Sequence, residues 1–368
     1  MRNFNTVVEF SENDTISKKL VDFMIDYAKQ DLSEKNVKKF SYSDKYTKEK
    51  KAEIINGFLL QDLERKSKFN LKSDFGGKIE DFATHSSVQS FAQNIQKVLL
   101  DAVYPYIFDN KLFNTIAEVH YAGFGDTFQI DLKNQSLYKV SKLGRRQNHA
   151  LTQEKQDTSV SINTDRYAVT TISNLPKILL GESMLAEDIM TAGMSMLAKV
   201  YELVLLEFKE KTEAVTIPAL FTEGAFSEKS FLEDLKVVKS YSGNTTPLLF
   251  GDTIALKTLL PENTNTRIDL QDMYNTVGYL DMWNGHSVVG FDAVASNDGE
   301  YGILGLEQNR LYGIAPTGKK IIHVALGSTS VKLDDGSNSA NQGVLNTVSQ
   351  EIGVELVTNE VLAVYKVS

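Results

Sequence analysis

Residues 159–172 read SVSINTDRYAVTTI, and residues 183–211 read SMLAEDIMTAGMSMLAKVYELVLLEFKEK. The first run has strand texture, with Val160 and Ile162, then Tyr167 and Val169, at every second position. The second is a helix, because Leu185, Ile189, Met196, Val200 and Leu203 mark one stripe. Ser183 is its expected N-cap, and Glu187 and Asp188 fall in the first turn, where the helix dipole favours anions. Helical character persists to Lys211, which makes the helix about 45 Å long at 1.5 Å per residue. Met184, Met190, Met194 and Met196 read as gap-filling core residues.

The strand texture begins earlier. Gly123-Phe124-Gly125-Asp126 signals a turn, Thr127 to Leu132 alternates, and Ser136 to Val140 follows. Residues 141–158 are polar and contain Gly144-Arg145-Arg146-Gln147-Asn148. Together these segments predict a long hairpin with a polar, basic tip. An excursion of this length is uncommon in a compact domain unless it has a job. Residues 133–146 hold Lys133, Lys139, Lys142, Arg145 and Arg146 and no acid. Residues 181–213 hold seven acids, Glu202, Glu207 and Glu210 among them, against three lysines.

Residues 1–110 read as mostly helical. Ile16, Leu20, Phe23 and Tyr27 fall at helical spacing, as do Ile54, Phe58 and Leu63. Val88, Phe91, Ile95, Val98 and Leu99 predict a helix over 86–103, with Pro105 ending it. Beyond the long helix, short strands and helices mix. Pro247 to Phe250 reads as a strand, and Gly251-Asp252 opens a helix through Leu260. Asn284-Gly285, flanked by Tyr279 to Trp283 and His286 to Val289, is a strong hairpin signal. Lys320 to Leu326 reads as a strand and Asp334 to Gly343 as a polar loop. Glu351 to Val367 alternates around Thr358-Asn359-Glu360 and predicts a final strand pair.

The 368 residues suit one large domain or two ordinary ones. With 42% hydrophobic and 24% charged residues, the chain is not disordered as its main state. The absence of cysteine excludes a disulfide scaffold, a thiol nucleophile and thiolate metal sites. The first residues lack an apolar h-region, so no secretory signal is expected. The most apolar run, Ile189 to Ala198, is about half of a bilayer span, so no membrane partner is expected. Net charge is −9, all of it in residues 111–368, since residues 1–110 hold 17 basic and 17 acidic side chains. Residues 29–72 carry a local excess of five positive charges. That excess is either a solvated helical face or an arm that touches an acidic partner or packaged nucleic acid.

Little in the chain nominates an enzyme. Gly313-Ile-Ala-Pro-Thr-Gly318-Lys319 has the spacing of a phosphate loop, but Lys320 stands where the magnesium-binding hydroxyl belongs. Ile321 to Val324 then continues as a strand, whereas a phosphate loop must open a helix, so a turn is expected. His85, His120, His149, His286 and His323 show no helical zinc spacing, and each reads as a surface or core histidine. Asp298 with Glu300, and Asp334 with Asp335, lie in loops where sequence does not set the separation that hydrolysis needs. No catalytic, cofactor or metal residue is expected.

The order of parts resembles the major capsid proteins of tailed bacteriophages, the Hong Kong 97-like fold. The specific segments are Thr246 to Leu256, similar to the family's strand–glycine–helix element, Gly278 to Val289, similar to its following hairpin, and Arg310 to Pro316, similar to the return to the peripheral domain. The resemblance implies an α+β chain with an extended E-loop hairpin (126–174), a peripheral (P) domain with a long spine helix (112–125, 175–214 and 331–368) and an axial (A) domain (215–330), to which the periodicity of the first residues adds a helical N-terminal arm (1–111). It covers about residues 112–368; the arm matches nothing in the family.

The function implied is a shell protein assembling as hexamers and pentamers into an icosahedral head around double-stranded DNA, held without sequence specificity. The implied partners are further copies of itself, a portal protein, and scaffolding and decoration proteins. The implied location is the virion head, assembled in the host bacterial cytoplasm. In the family the E-loop lies over a neighbour's P domain. Lys133, Lys139, Lys142, Arg145 and Arg146 at the tip are therefore expected to meet an acidic face there, with Glu202, Glu207 and Glu210 as its contacts. Opposite charge of this kind sets register and encounter rate more than affinity. Some members also cross-link an E-loop lysine to an asparagine; Lys133, Lys139, Lys142, Lys155 and Asn359 are the candidates here. An encapsulin-like nanocompartment shell, a tail or baseplate component, and an α+β hydrolase using Asp298 or Glu300 remain as alternatives.

Overall fold

The structure is a computed structural model. It describes residues 18–35, 39–109, 111–121, 128–132, 158–172, 175–213, 219–260, 279–291, 293–295, 303–316, 320–334, 345–358 and 361–367. The N-terminal elements are α1 (Lys18–Glu34), α2 (Lys48–Ser67), α3 (Ile79–Thr84), α4 (Ser86–Ile107) and α5 (Lys111–Thr115). Then come β1 (Ala117–Tyr121), β2 (Phe128–Leu132), β3 (Thr158–Ile162), β4 (Asp165–Ile172), α6 (Leu175–Leu180) and α7 (Leu185–Glu213). They are followed by β5 (Ala219–Gly224), α8 (Glu228–Tyr241), β6 (Leu248–Asp252) and α9 (Thr253–Leu256), which runs into a 3-10 turn at Lys257–Leu259. The rest is strand: β7 (Met282–Trp283), β8 (His286–Phe291), β9 (Val294–Ala295), β10 (Ile303–Leu304), β11 (Arg310–Ile314), β12 (Ile322–Asp334), β13 (Leu345–Leu356) and β14 (Leu362–Val367).

By its internal contacts the chain divides into two compact units. One takes residues 1–110, 166–197 and 328–350; the other takes 111–165, 198–327 and 351–368. Four strands form a sheet in the order β1-β12-β13-β4, and six form another in the order β5-β14-β11-β6-β8-β7.

In the first unit α1, α2 and α4 pack on one another. Leu20, Met24 and Tyr27 of α1, Ile55, Leu59 and Leu63 of α2, and Val88, Ile95 and Leu99 of α4 are buried. The stripe expected on α2 is displaced by one position, since Ile54 and Phe58 are only half-buried. Apolar residues at both 54/58 and 55/59 satisfy helical spacing, so the period alone cannot choose between the two faces. Pro105 does not end α4, which continues to Ile107. A proline this near the end removes one helical hydrogen bond, and the last turn still closes through Phe108 N–H to Tyr104 O at 3.0 Å.

One charge of the basic excess over 29–72 is met by an acid from outside that segment, Asp26. Lys51 is fully buried, its ammonium 2.8 Å from Asp26 and 2.7 Å from Gln30 Oε1. Asp31 is buried between Lys35 and Lys48. Burial pushes the Asp31 carboxyl up, but hydrogen bonds from Lys35 and Lys48 outweigh that and hold it below the usual range.

Ser183 is not the N-cap of α7. That role falls to Asn56 of α2, a buried side chain in the same unit. Its Oδ1 accepts from Leu185 N–H at 3.2 Å, and its Nδ2 donates to Ser183 O at 2.9 Å and to Ile178 O at 3.2 Å. Further along α7, a Cβ on Gly193 would lie 2.6 Å from Ile107 Cδ1, so this helix and α4 meet where α7 has no side chain.

Asp101 of α4 lies beside Thr329. Burial pushes its carboxyl above the ordinary range, against a hydrogen bond from Thr329 and the charge of Lys97. The native state therefore binds this proton more tightly than the unfolded chain does. The stability it contributes is full below the unfolded pKa and is lost as pH rises through the folded one. Asp101→Asn is expected to raise Tm by a few degrees at pH 7 and to leave it nearly unchanged at pH 4, which thermal melts at the two pH values check.

The second unit is built around the six-stranded sheet. β14 pairs in parallel with β5 and antiparallel with β11, and β11 pairs antiparallel with β6. β6 runs parallel to β8, which closes on β7 through Asn284 and Gly285 at φ 47° and 80°. Both turn residues are left-handed, as a type I′ hairpin requires. One face of the sheet meets Phe231, Leu235 and Val238 of α8. A Cβ on Gly313 would come within 2.4 Å of the Leu235 side chain, so α8 seats over that glycine. On the other face Phe208 of α7 meets Tyr312 edge-on at 4.8 Å, and Tyr312 stacks on Phe250 at 5.3 Å.

β13 and β14 are not the strand pair expected at the C-terminus, because they belong to different sheets. The run Leu362 to Tyr365 is buried at every position, the texture of an interior strand covered on both faces. Among the described helices α7 alone is long and apolar enough to cross a bilayer, and 56% of its most apolar window is buried in the protein.

Candidate assembly surfaces

β2 and β3 form a two-stranded ribbon in which Phe128 faces Ile162 and Ile130 faces Val160, while Gln129 faces Ser161 and Asp131 faces Ser159. The alternation puts four apolar side chains on one side and four polar ones on the other. Ile162 is buried, but Phe128, Ile130 and Val160 are only half-buried. On the polar side Gln129 Nε2 donates to Ser159 Oγ at 2.9 Å. The ribbon is anchored at its base by a close approach: a Cβ on Gly353 of β13 would lie 2.3 Å from Asn163 O. An isolated two-stranded ribbon is marginal in water, so an apolar side this open gains from a cover. The expected tip residues Lys133, Lys139, Lys142, Arg145 and Arg146, and the cross-link candidates Lys155 and Asn359, lie outside the described residues.

The three spine-helix acids are all on α7 but differ in state. Glu202 pairs with Lys199 at 2.8 Å, one turn earlier. Glu207 is held by Lys211 at 3.5 Å and accepts Leu356 N–H at 3.4 Å. Lys211 also reaches Glu355 at 3.1 Å, and that hydrogen bond holds its ammonium pKa above the ordinary value. Glu210 is exposed and has no ion pair among the described residues. At the end of the helix Glu213 pairs at 3.0 Å with Arg310, a buried guanidinium that Glu307 also contacts.

The remaining sequence candidates resolve as follows. Gly313 sits inside β11, opposite Leu249 and Ala363, so the phosphate-loop spacing begins within a strand. Thr317 to Lys319, Asp298, Glu300 and Asp335 lie outside the described residues, as does His149. Asp334 ends β12. His85 caps α4 by accepting Ser87 N–H at 3.3 Å, and His286 contacts Pro247 O at 3.0 Å. His120 and His323 do not stand alone: Nε2 of one lies 3.0 Å from Nδ1 of the other, and Glu118 is beside them. A separation of 203 residues hides this grouping from any local motif.

No protein-family model matches the chain, and no curated protein matches it. Solved structures do. The mature capsid of bacteriophage PhiM1 is 12% identical, over 70% of this chain and 87% of that one, with a TM-score of 0.46. The head of Helicobacter pylori bacteriophage KHP40 is 11% identical, over 69% and 91%, at 0.43. A virus-like particle from Pyrococcus furiosus is 12% identical, over 75% and 99%, at 0.41. Each of these is a likeness at low identity and with a TM-score under 0.5.

Proposed function

We propose that the chain is the major capsid protein of a tailed phage. Hexamers and pentamers of it tile an icosahedral head around double-stranded DNA, and it has no catalytic residues. The observation that carries the reading is the β2–β3 ribbon, which displays a half-open apolar side within one chain and whose two strands are joined in sequence by the basic segment 133–157. In this reading residues 126–174 are the E-loop and residues 112–125, 175–214 and 331–368 the P domain with α7 as spine. Residues 215–330 are the A domain and residues 1–111 an added helical arm. The E-loop tip engages the P domain of a neighbouring copy, with Glu210 as the acid best placed to meet it. A portal protein, scaffolding and decoration proteins complete the head, which is assembled in the host bacterial cytoplasm.

The test is negative-stain electron microscopy of the purified protein, alone and co-expressed with its genomic neighbours. Closed shells, or hexameric and pentameric rings, are expected. A dispersed monomer or dimer under every condition would overturn the reading, and closed shells that hold a protein cargo instead of DNA would move it to a nanocompartment.

A further inference from the structure

Glu118 and His120 are two residues apart on β1 and so share a face of the strand. β1 runs parallel to β12 with Glu118 opposite His323. This register brings two imidazoles and a carboxylate together, and one ligand atom from each lies within 4.8 Å of the others. The two rings stack at 24° with centroids 5.3 Å apart, and His120 Nε2 faces His323 Nδ1 at 3.0 Å. Two ring nitrogens that face each other share a proton, or both lone pairs turn to one cation. With metal–nitrogen bonds of 2.0–2.1 Å, two nitrogens on a tetrahedral ion are about 3.3 Å apart, a few tenths of an ångström from the separation found.

We propose that Glu118, His120 and His323 form a site for a divalent transition-metal ion of the zinc type. Two imidazoles with one carboxylate suit zinc, cobalt, nickel or copper and do not suit calcium or magnesium, which take oxygen donors. Three protein ligands leave a coordination position open for water or an outside ligand. His323 is buried, His120 half-buried and Glu118 exposed, so the site opens on the side of the carboxylate. Lys320 feels the charge of Glu118, but its ammonium donates to the carbonyls of Asn114 and Thr115. β1 is an edge strand of its four-stranded sheet, so an ion held from both β1 and β12 fastens that edge. This role is independent of shell formation.

Tag-free, full-length protein is stripped with a chelator and titrated with zinc chloride, by calorimetry and by thermal melts. One ion per chain is expected, with Tm raised by about 5 °C or more at a hundredfold excess over Kd and the rise reversed by chelator. Glu118→Gln changes an exposed side chain and leaves the fold intact; it is expected to weaken binding at least tenfold. His120→Ala is expected to abolish binding and the visible absorption of the cobalt-substituted protein. No saturable binding, or binding unchanged in both variants, overturns the proposal.

Discussion

Asn56→Ala is expected to lower the stability of the protein by about 3 kcal/mol. The buried side chain satisfies one donor and one acceptor at the start of α7 and a second acceptor, Ile178 O, in α6. Alanine fills no such role, and each buried backbone group left without a partner costs about 1–3 kcal/mol. Loss of an N-cap by itself costs about 1 kcal/mol. In thermal melts the expected shift is roughly 6–12 °C, taking about 2–4 °C per kcal/mol for a unit of this size. Asn56→Asp separates the parts of the effect, since it keeps the acceptor for Leu185 N–H but turns a carboxylate oxygen toward two carbonyls. It should rescue little. A loss under about 1 kcal/mol in the alanine variant would show that water satisfies these groups, and that Asn56 does not hold α7 in place.

Reversing Lys142, Arg145 and Arg146 to glutamate together is expected to abolish shell formation or slow it at least tenfold, with the melting temperature of the single chain unchanged. The triple variant turns a tip with five basic residues and no acid into one of mixed sign. Steering between exposed charges falls off within about 10 Å at 0.1 M salt, so wild-type assembly should slow as salt rises and the variant should lose that dependence. Glu210→Lys in the same background should restore part of the rate if that acid is the partner. Light scattering followed by electron microscopy reads both effects. Assembly at the wild-type rate would falsify the tip contact and leave the ribbon's apolar side as the main inter-subunit surface.

The parts of the fold legible in the sequence are those set by short-range physics. The 3.6-residue stripe of α7, the Asn284-Gly285 turn and the strand leading to Asp252 all lie where local pattern puts them. Asp252 even caps its own helix, accepting Ile254 N–H at 2.7 Å. What escaped reading depends on residues far apart in the chain. The cap of α7 comes from Asn56, 129 positions before Leu185. Glu351 to Leu356 and Leu362 to Val367 both read as strands, but nothing in their alternation says that they enter different sheets. Composition also could not show that Lys51 of the basic segment 29–72 is buried against Asp26, because that pairing is set by helix packing. The histidine pair falls in the same class, since parallel register alone brings Glu118 and His323 side by side.

The interleaved composition of the two units bears on how the protein is made. The first unit takes residues 1–110 but also 328–350, so its last segment begins 218 residues after its first is finished. At about 5–20 residues per second the early helices wait some ten to forty seconds for it. During translation the apolar faces of α1, α2 and α4 can cover one another, while the remainder of that unit's core is still unsynthesised. A truncation before residue 328 would leave both units incomplete.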